Sequence, residues 1–143
     1  MLTRKEFFLG AAMVALVPLT GCSGESTKDI PEGMDEAYYD YAKDVYDLCQ
    51  QYLDGSTGLD TTKAKVDKAL DSHSSAMKSV ADKSKQDTNV FVMAVFLATQ
   101  LDHTDDDDKS KENIARCVDG LGYVLETGEL SDDYKMLNSD DSQ

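Results

Sequence analysis

Residues 35–53 read DEAYYDYAKDVYDLCQQYL. Tyr38, Tyr41, Ala42, Val45, Leu48, Cys49 and Tyr52 recur at three- and four-residue intervals, the spacing that lines one face of an α-helix. Asp35 stands where an N-cap belongs, Met34 and Tyr39 are placed to staple around it, and Gly55 follows the last periodic residue. The stretch therefore predicts an amphipathic helix with one face turned inward.

Three further segments carry the same period. Over about 60–85, Val66, Ala69, Leu70, His73, Ala76, Met77 and Val80 form an apolar stripe, with lysines on the remaining faces. Those lysines are read as a solvated face that offsets the charge of its neighbours. Over about 88–101 the run Val90–Ala98 is apolar without a break, as in a helix buried on all sides. Its β-branched and aromatic content also suits a strand, and its length favours helix. Over about 108–127, Ile114, Cys117, Val118, Leu121, Val124 and Leu125 fall on one face. The acidic run Asp105–Asp108 precedes it, where negative charge suits a helix start. Gly120 and Gly122 sit inside it, for close helix contact or a kink. No proline falls after Pro31, so nothing breaks these helices from within. The expected fold is all-α: an antiparallel four-helix bundle over residues 35–128, followed by an acidic tail, 129–143, that frays.

The chain carries 28 Asp and Glu against 14 Lys and Arg, a net charge of −14 over 143 residues. This excludes a nucleic-acid partner, since phosphate binding needs clustered Lys and Arg. It also keeps the domain from lying on an anionic membrane surface.

Upstream, Arg4 and Lys5 precede the uncharged, mostly apolar stretch Phe7–Leu19, shorter than the ~20 residues a spanning helix needs. It closes on Leu19-Thr20-Gly21-Cys22, which resembles the lipobox of bacterial lipoproteins. The resemblance covers only the beginning of the chain. It implies cleavage before Cys22, a diacylglyceryl thioether on the Cys22 sulfur, and an extracytoplasmic domain held on the bacterial cell membrane. Residues 1–21 are then a signal peptide and 22–34 a polar, flexible tether. Loss of Arg4, Lys5 and Glu6 takes the charge one unit further negative. Thr3–Leu9 resembles a twin-arginine export motif with Lys5 in place of the second Arg, which leaves general secretion and the twin-arginine route both open.

Outside the cytoplasm disulfides persist. In an up-down bundle the first and fourth helices are neighbours, and at about 1.5 Å per residue Cys49 and Cys117 fall within 10 Å in height. A Cys49–Cys117 disulfide is expected, stabilising by about 4 kcal/mol on the chain-entropy model.

Catalytic arrangements are sparse. No CxxC, CxxCH, GxSxG, HExxH or phosphate loop occurs. His73 falls on an apolar stripe and reads as a core or boundary residue. His103 lies near Asp102 and Asp105, so these three are the metal candidates, but the EF-hand order of ligands and its glycine are missing. Met77 or Met93 with a histidine would be needed for haem. Asp105–Lys109 resembles the recognition sequence of enteropeptidase, which implies a cleavable loop. Tyr39 and Tyr46 lie off the main stripe of the first helix and offer a contact surface. The expectation is a non-catalytic interaction or structural module with an unidentified protein partner and no cofactor. The alternatives are a small-molecule accessory lipoprotein with a pocket near His73 and the tyrosines, or a weak metal or haem binder.

Overall fold

The computed structural model describes residues 29–138. The signal stretch, Cys22, the first part of the tether and the last five residues lie outside them. Four helices pack together as a four-helix bundle: α1 (Glu36–Leu53), α2 (Leu59–Lys78), α3 (Lys85–Asp102) and α4 (Asp108–Thr127). A 3-10 helix, Asp132–Asn138, follows. The third segment is thus a helix, and the described residues contain no strand.

Local chemistry sets the helix ends. The Asp35 carboxylate accepts from the backbone N–H of Ala37 at 2.9 Å and starts α1. The Asp107 carboxylate accepts from Ser110 N–H at 2.8 Å and starts α4. Gly128, in the left-handed region at φ 77°, ends α4. The second helix stops earlier than the stripe suggested. It ends at Lys78 because α3 begins at a capping box: the Ser84 hydroxyl accepts from Asp87 N–H, and the Asp87 carboxylate accepts from Ser84 N–H. That box places the start of α3 before Thr88 and leaves residues 79–84 as the connection.

Asp87 also reaches across the bundle. One carboxylate oxygen accepts from Asp35 N–H at 2.7 Å, the other from Ser84 N–H at 3.0 Å, and the residue is only 2% exposed. The Ser84 hydroxyl donates to the Gly33 carbonyl. Asn89, equally buried, donates to the Gly128 carbonyl at 2.9 Å. These two side chains tie the start of α3 to the start of α1 and the end of α4, and buried polar groups persist only when satisfied in this way.

The core is α3-centred, with Val90, Met93, Ala94, Leu97 and Leu101 fully enclosed. Around them lie Tyr41, Val45 and Cys49 of α1 and Ile114, Val118, Leu121 and Val124 of α4. Each such aliphatic side chain contributes about 1.5–3 kcal/mol on burial. α1 touches all three other helices, whereas α2 packs broadly on α1 and only lightly on α3.

Both ends of the domain differ from the expectation. Met34 is buried and Ile30 packs on the core, so the last part of the tether is folded against the bundle. The tail does not simply fray: Leu130 is buried, and the Tyr134 ring lies on Phe96 at 5.9 Å between centroids. Gly120 makes room for that ring, since a Cβ there would come within 2.6 Å of Tyr134 Cε2. Gly122 lies likewise under Tyr46. The two helical glycines serve close contact.

Candidate functional site

The groups singled out for chemistry are dispersed in the fold. His73 Nε2 lies 2.7 Å from Asp44 Oδ2 on the outer side of the α1–α2 seam. Its ring is 6.3 Å from that of Tyr41. It is a boundary histidine held by a carboxylate. His103 caps α3, its Nδ1 2.9 Å from the Thr99 carbonyl.

The acidic run is divided among separate tasks. Asp106 accepts the Tyr52 hydroxyl at 2.8 Å, Asp107 caps α4, and Asp108 opens its first turn. Asp102, His103 and Asp105 do not converge, and no group of three or more His, Cys, Asp or Glu among the described residues is placed to hold a metal ion. The enteropeptidase-like segment crosses the α4 N-cap, with Lys109 already helical. Met77 and Met93 are buried core residues.

Cys49 and Cys117 are buried free thiols in the structure; the expected disulfide is not formed there. The fold nevertheless sets both on the α1–α4 seam. Burial pushes the Cys49 thiol up to about 12, and Cys117 adds to the shift. Burial raises Cys117 too, while the Tyr134 hydroxyl, 3.9 Å from its sulfur and donating to it, pulls the other way.

The surface grooves that the fold does assemble include two on opposite flanks of α1. On the α4 side, Tyr39 and Tyr46 line a groove of about 440 Å³ with Asp29, Lys43, Gly122 and Leu125. Lys43 Nζ stands 5.5 Å from the centre of the Tyr46 ring and 2.6 Å from Asp47, and Gln50 donates to the Tyr46 hydroxyl. The two tyrosines that the sequence set apart thus share one surface. His73, on the α2 side, is not part of it.

On the α2 side a larger groove, about 610 Å³, opens where α2 leans away from α3. Tyr38, Leu70, Met77, Val80 and Phe91 supply its apolar wall, with Lys78, Lys83, Asp71 and Ser74 around them. The Tyr38 and Phe91 rings meet edge to face at 6.0 Å. Tyr38 donates to the Met77 carbonyl at 3.4 Å. Sequence periodicity put Leu70 and Ala76 inside the core; both are exposed, Leu70 at 37%. The stripe of α2 is wider than the surface its neighbours cover, and that excess width was the available signal for this groove.

No protein-family model matches the chain, and no curated protein or solved structure is significantly similar to it.

Proposed function

We propose that this chain is an exported bacterial lipoprotein, held on the membrane by acyl chains on Cys22, whose helical domain binds a protein partner and catalyses nothing. The anchor rests on Leu19–Cys22 behind its apolar stretch. The observation that carries the binding reading is the Tyr39–Tyr46 groove: aromatic side chains at the edge of the core, left half-buried beside Lys43. Tyrosine is favoured at interfaces because it offers apolar area and a hydroxyl together.

Asp29, on the rim of that groove, is seven positions from Cys22. A chain of that length reaches at most about 25 Å. The groove therefore stays near the membrane surface, and its partner is a protein in or on the same membrane. The Cys49–Cys117 pair belongs to this reading, since the extracytoplasmic side favours oxidation of neighbouring thiols.

The test is a photo-crosslinking residue at position 46 of the full-length protein in cells, with mass analysis of the mature product. The expected result is an acylated Cys22 and one dominant protein adduct that the same probe at exposed Asp119 does not give. An unmodified Cys22 or an intact Met1 would overturn the anchor; equal adduct patterns from the two positions would overturn the partner surface. A second reading, small-molecule binding, is favoured by the size and apolar wall of the α2–α3 groove.

A further inference from the structure

We propose that the groove between α2 and α3 binds a single-chain anionic amphiphile, a fatty carboxylate in chemical class. The inference deepens the small-molecule reading and depends on neither the acyl anchor nor the Tyr39–Tyr46 surface.

Three features of the groove select that ligand. Its volume, about 610 Å³, lies in the range of small-molecule sites, which are largely apolar with a few polar groups fixing orientation. Its wall is aliphatic and aromatic, from Leu70, Met77, Val80, Tyr38 and Phe91. Among the described residues nothing covers Leu70 further, and it stays 37% exposed.

The third feature is charge. Lys78 and Lys83 both border the groove and both are exposed. Among the described residues neither is in an ion pair, although Lys43, Lys85, Lys111 and Lys135 each are. On a chain of net charge −14 the groove border thus carries two unpaired cations against one carboxylate, Asp71, a local balance opposite in sign to that of the whole molecule.

The one carboxylate on the rim fixes the direction. Asp71 precedes Lys78 by two turns of α2, which is about 10 Å along the axis. The head of the ligand therefore sits between Lys78 and Lys83, and its chain runs back along Met77 and Leu70. The carbonyls at the end of α2 oppose an anion there; the two ammonium groups offset them. A cationic amphiphile would find Asp71 alone and would meet both lysines if it entered the other way.

The experiment is calorimetric titration of the purified domain with dodecanoate and, separately, with dodecyltrimethylammonium, both below their micelle concentrations. Bulk charge favours the cation, so the comparison is severe. The expected result is one dodecanoate site, at least about tenfold tighter than the cation, a difference of about 1.4 kcal/mol. The double variant K78E/K83E, at two exposed positions, keeps its helical circular dichroism and loses or reverses that preference. Leu70→Glu weakens dodecanoate without altering the fold. Absence of a dodecanoate site, equal or tighter binding of the cation, or an unchanged preference in a folded K78E/K83E protein would each overturn the proposal. Because the domain is titrated in solution, failure here leaves the acylation and crosslinking results untouched, and the reverse holds.

Discussion

The two long sides of α1 meet their neighbours differently. Toward α4 the inner contact is closed, with the Tyr39–Tyr46 groove only along its outer edge: Gly120 and Gly122 admit the Tyr134 and Tyr46 rings, and Val45, Cys49, Val118 and Leu121 are buried between the backbones. Toward α2 the inner face is closed, with Val66 and Ala69 buried, but the far edge opens into a groove at Leu70. Both sides come from amphipathic helices of similar length. The difference lies in stripe width against available cover. On α4 the bare backbone of glycine lets Tyr134 and Tyr46 reach the inner apolar face, and what stays open there is the rim with Tyr39, Leu125 and Tyr123; on α2 the apolar surface exceeds what α1 and α3 can reach. Amphipathicity fixes which face turns inward, and the surplus becomes a binding surface.

The largest expected effect tests the closed side. Four acids with strongly raised pKa values belong to it or to the core behind it. Burial is the leading cause for Cys49, Tyr41, Tyr52 and Tyr134, each pushed up to about 12. The hydrogen bond to Asp106 is the next cause for Tyr52 and the nearby Cys117 for Tyr134. The unfolded chain releases these protons near the ordinary values, 9.0 for the thiol and 10.0 for the phenols, while the native state keeps them. The unfolded state then binds fewer protons, so stability falls with rising pH. It is fully present below about pH 9 and is lost through about pH 12. Circular dichroism against pH is expected to stay level to pH 9 and collapse before pH 12, with tyrosinate of the buried rings, Tyr41, Tyr52 and Tyr134, appearing in the same step. Ionisation of those three rings while the helices persist would show the seam to be open. Oxidation of Cys49 with Cys117 would remove the thiol and move the onset toward pH 10.

A smaller effect tests the joint that holds the closed side together at its end. Asp87→Ala leaves the Asp35 and Ser84 backbone N–H groups without their acceptor, at about 1 kcal/mol, the low end for an unsatisfied donor, because both bonds are only part-buried. Asp87→Asn keeps one acceptor oxygen and turns an amide toward the other N–H, so its loss is intermediate. Urea denaturation measures both. Equal stability of Asp87→Ala and wild type would mean that neither the cross-bundle bond to Asp35 nor the Asp87 half of the capping box holds α3.

These examples also show what was legible in advance. The bounds of α1 and α4 followed from period, from the Asp35 cap and from the acidic run before α4, because such signals act within a turn of themselves. The start of α3 was missed because the box there uses Asp87 where the familiar pattern has Glu or Gln. The apolar stripe carried α2 too far for the same reason. The packed tail was illegible: Tyr134 stands in an acidic segment, and the bare backbone of Gly120, 14 positions earlier, with Phe96 of α3, receives it. In the candidate sites, Tyr39 and Tyr46 were readable as a shared face because they lie on one helix. The α2–α3 groove was not, since it depends on how far α2 leans from α3.

The smallest expected effect on stability tests the open side. Leu70→Ser removes an apolar side chain already 37% exposed and lining the groove. No enclosed cavity is created and no buried polar atom is stranded, so stability changes by no more than about 0.5 kcal/mol. The same truncation at Leu97, which is fully enclosed, carries both a transfer and a cavity cost. A loss at position 70 approaching that at position 97 would place Leu70 inside the working core, and the distinction between the two sides of α1 would disappear. A neutral Leu70→Ser leaves its apolar surface as something the fold does not need, retained for contact with another molecule.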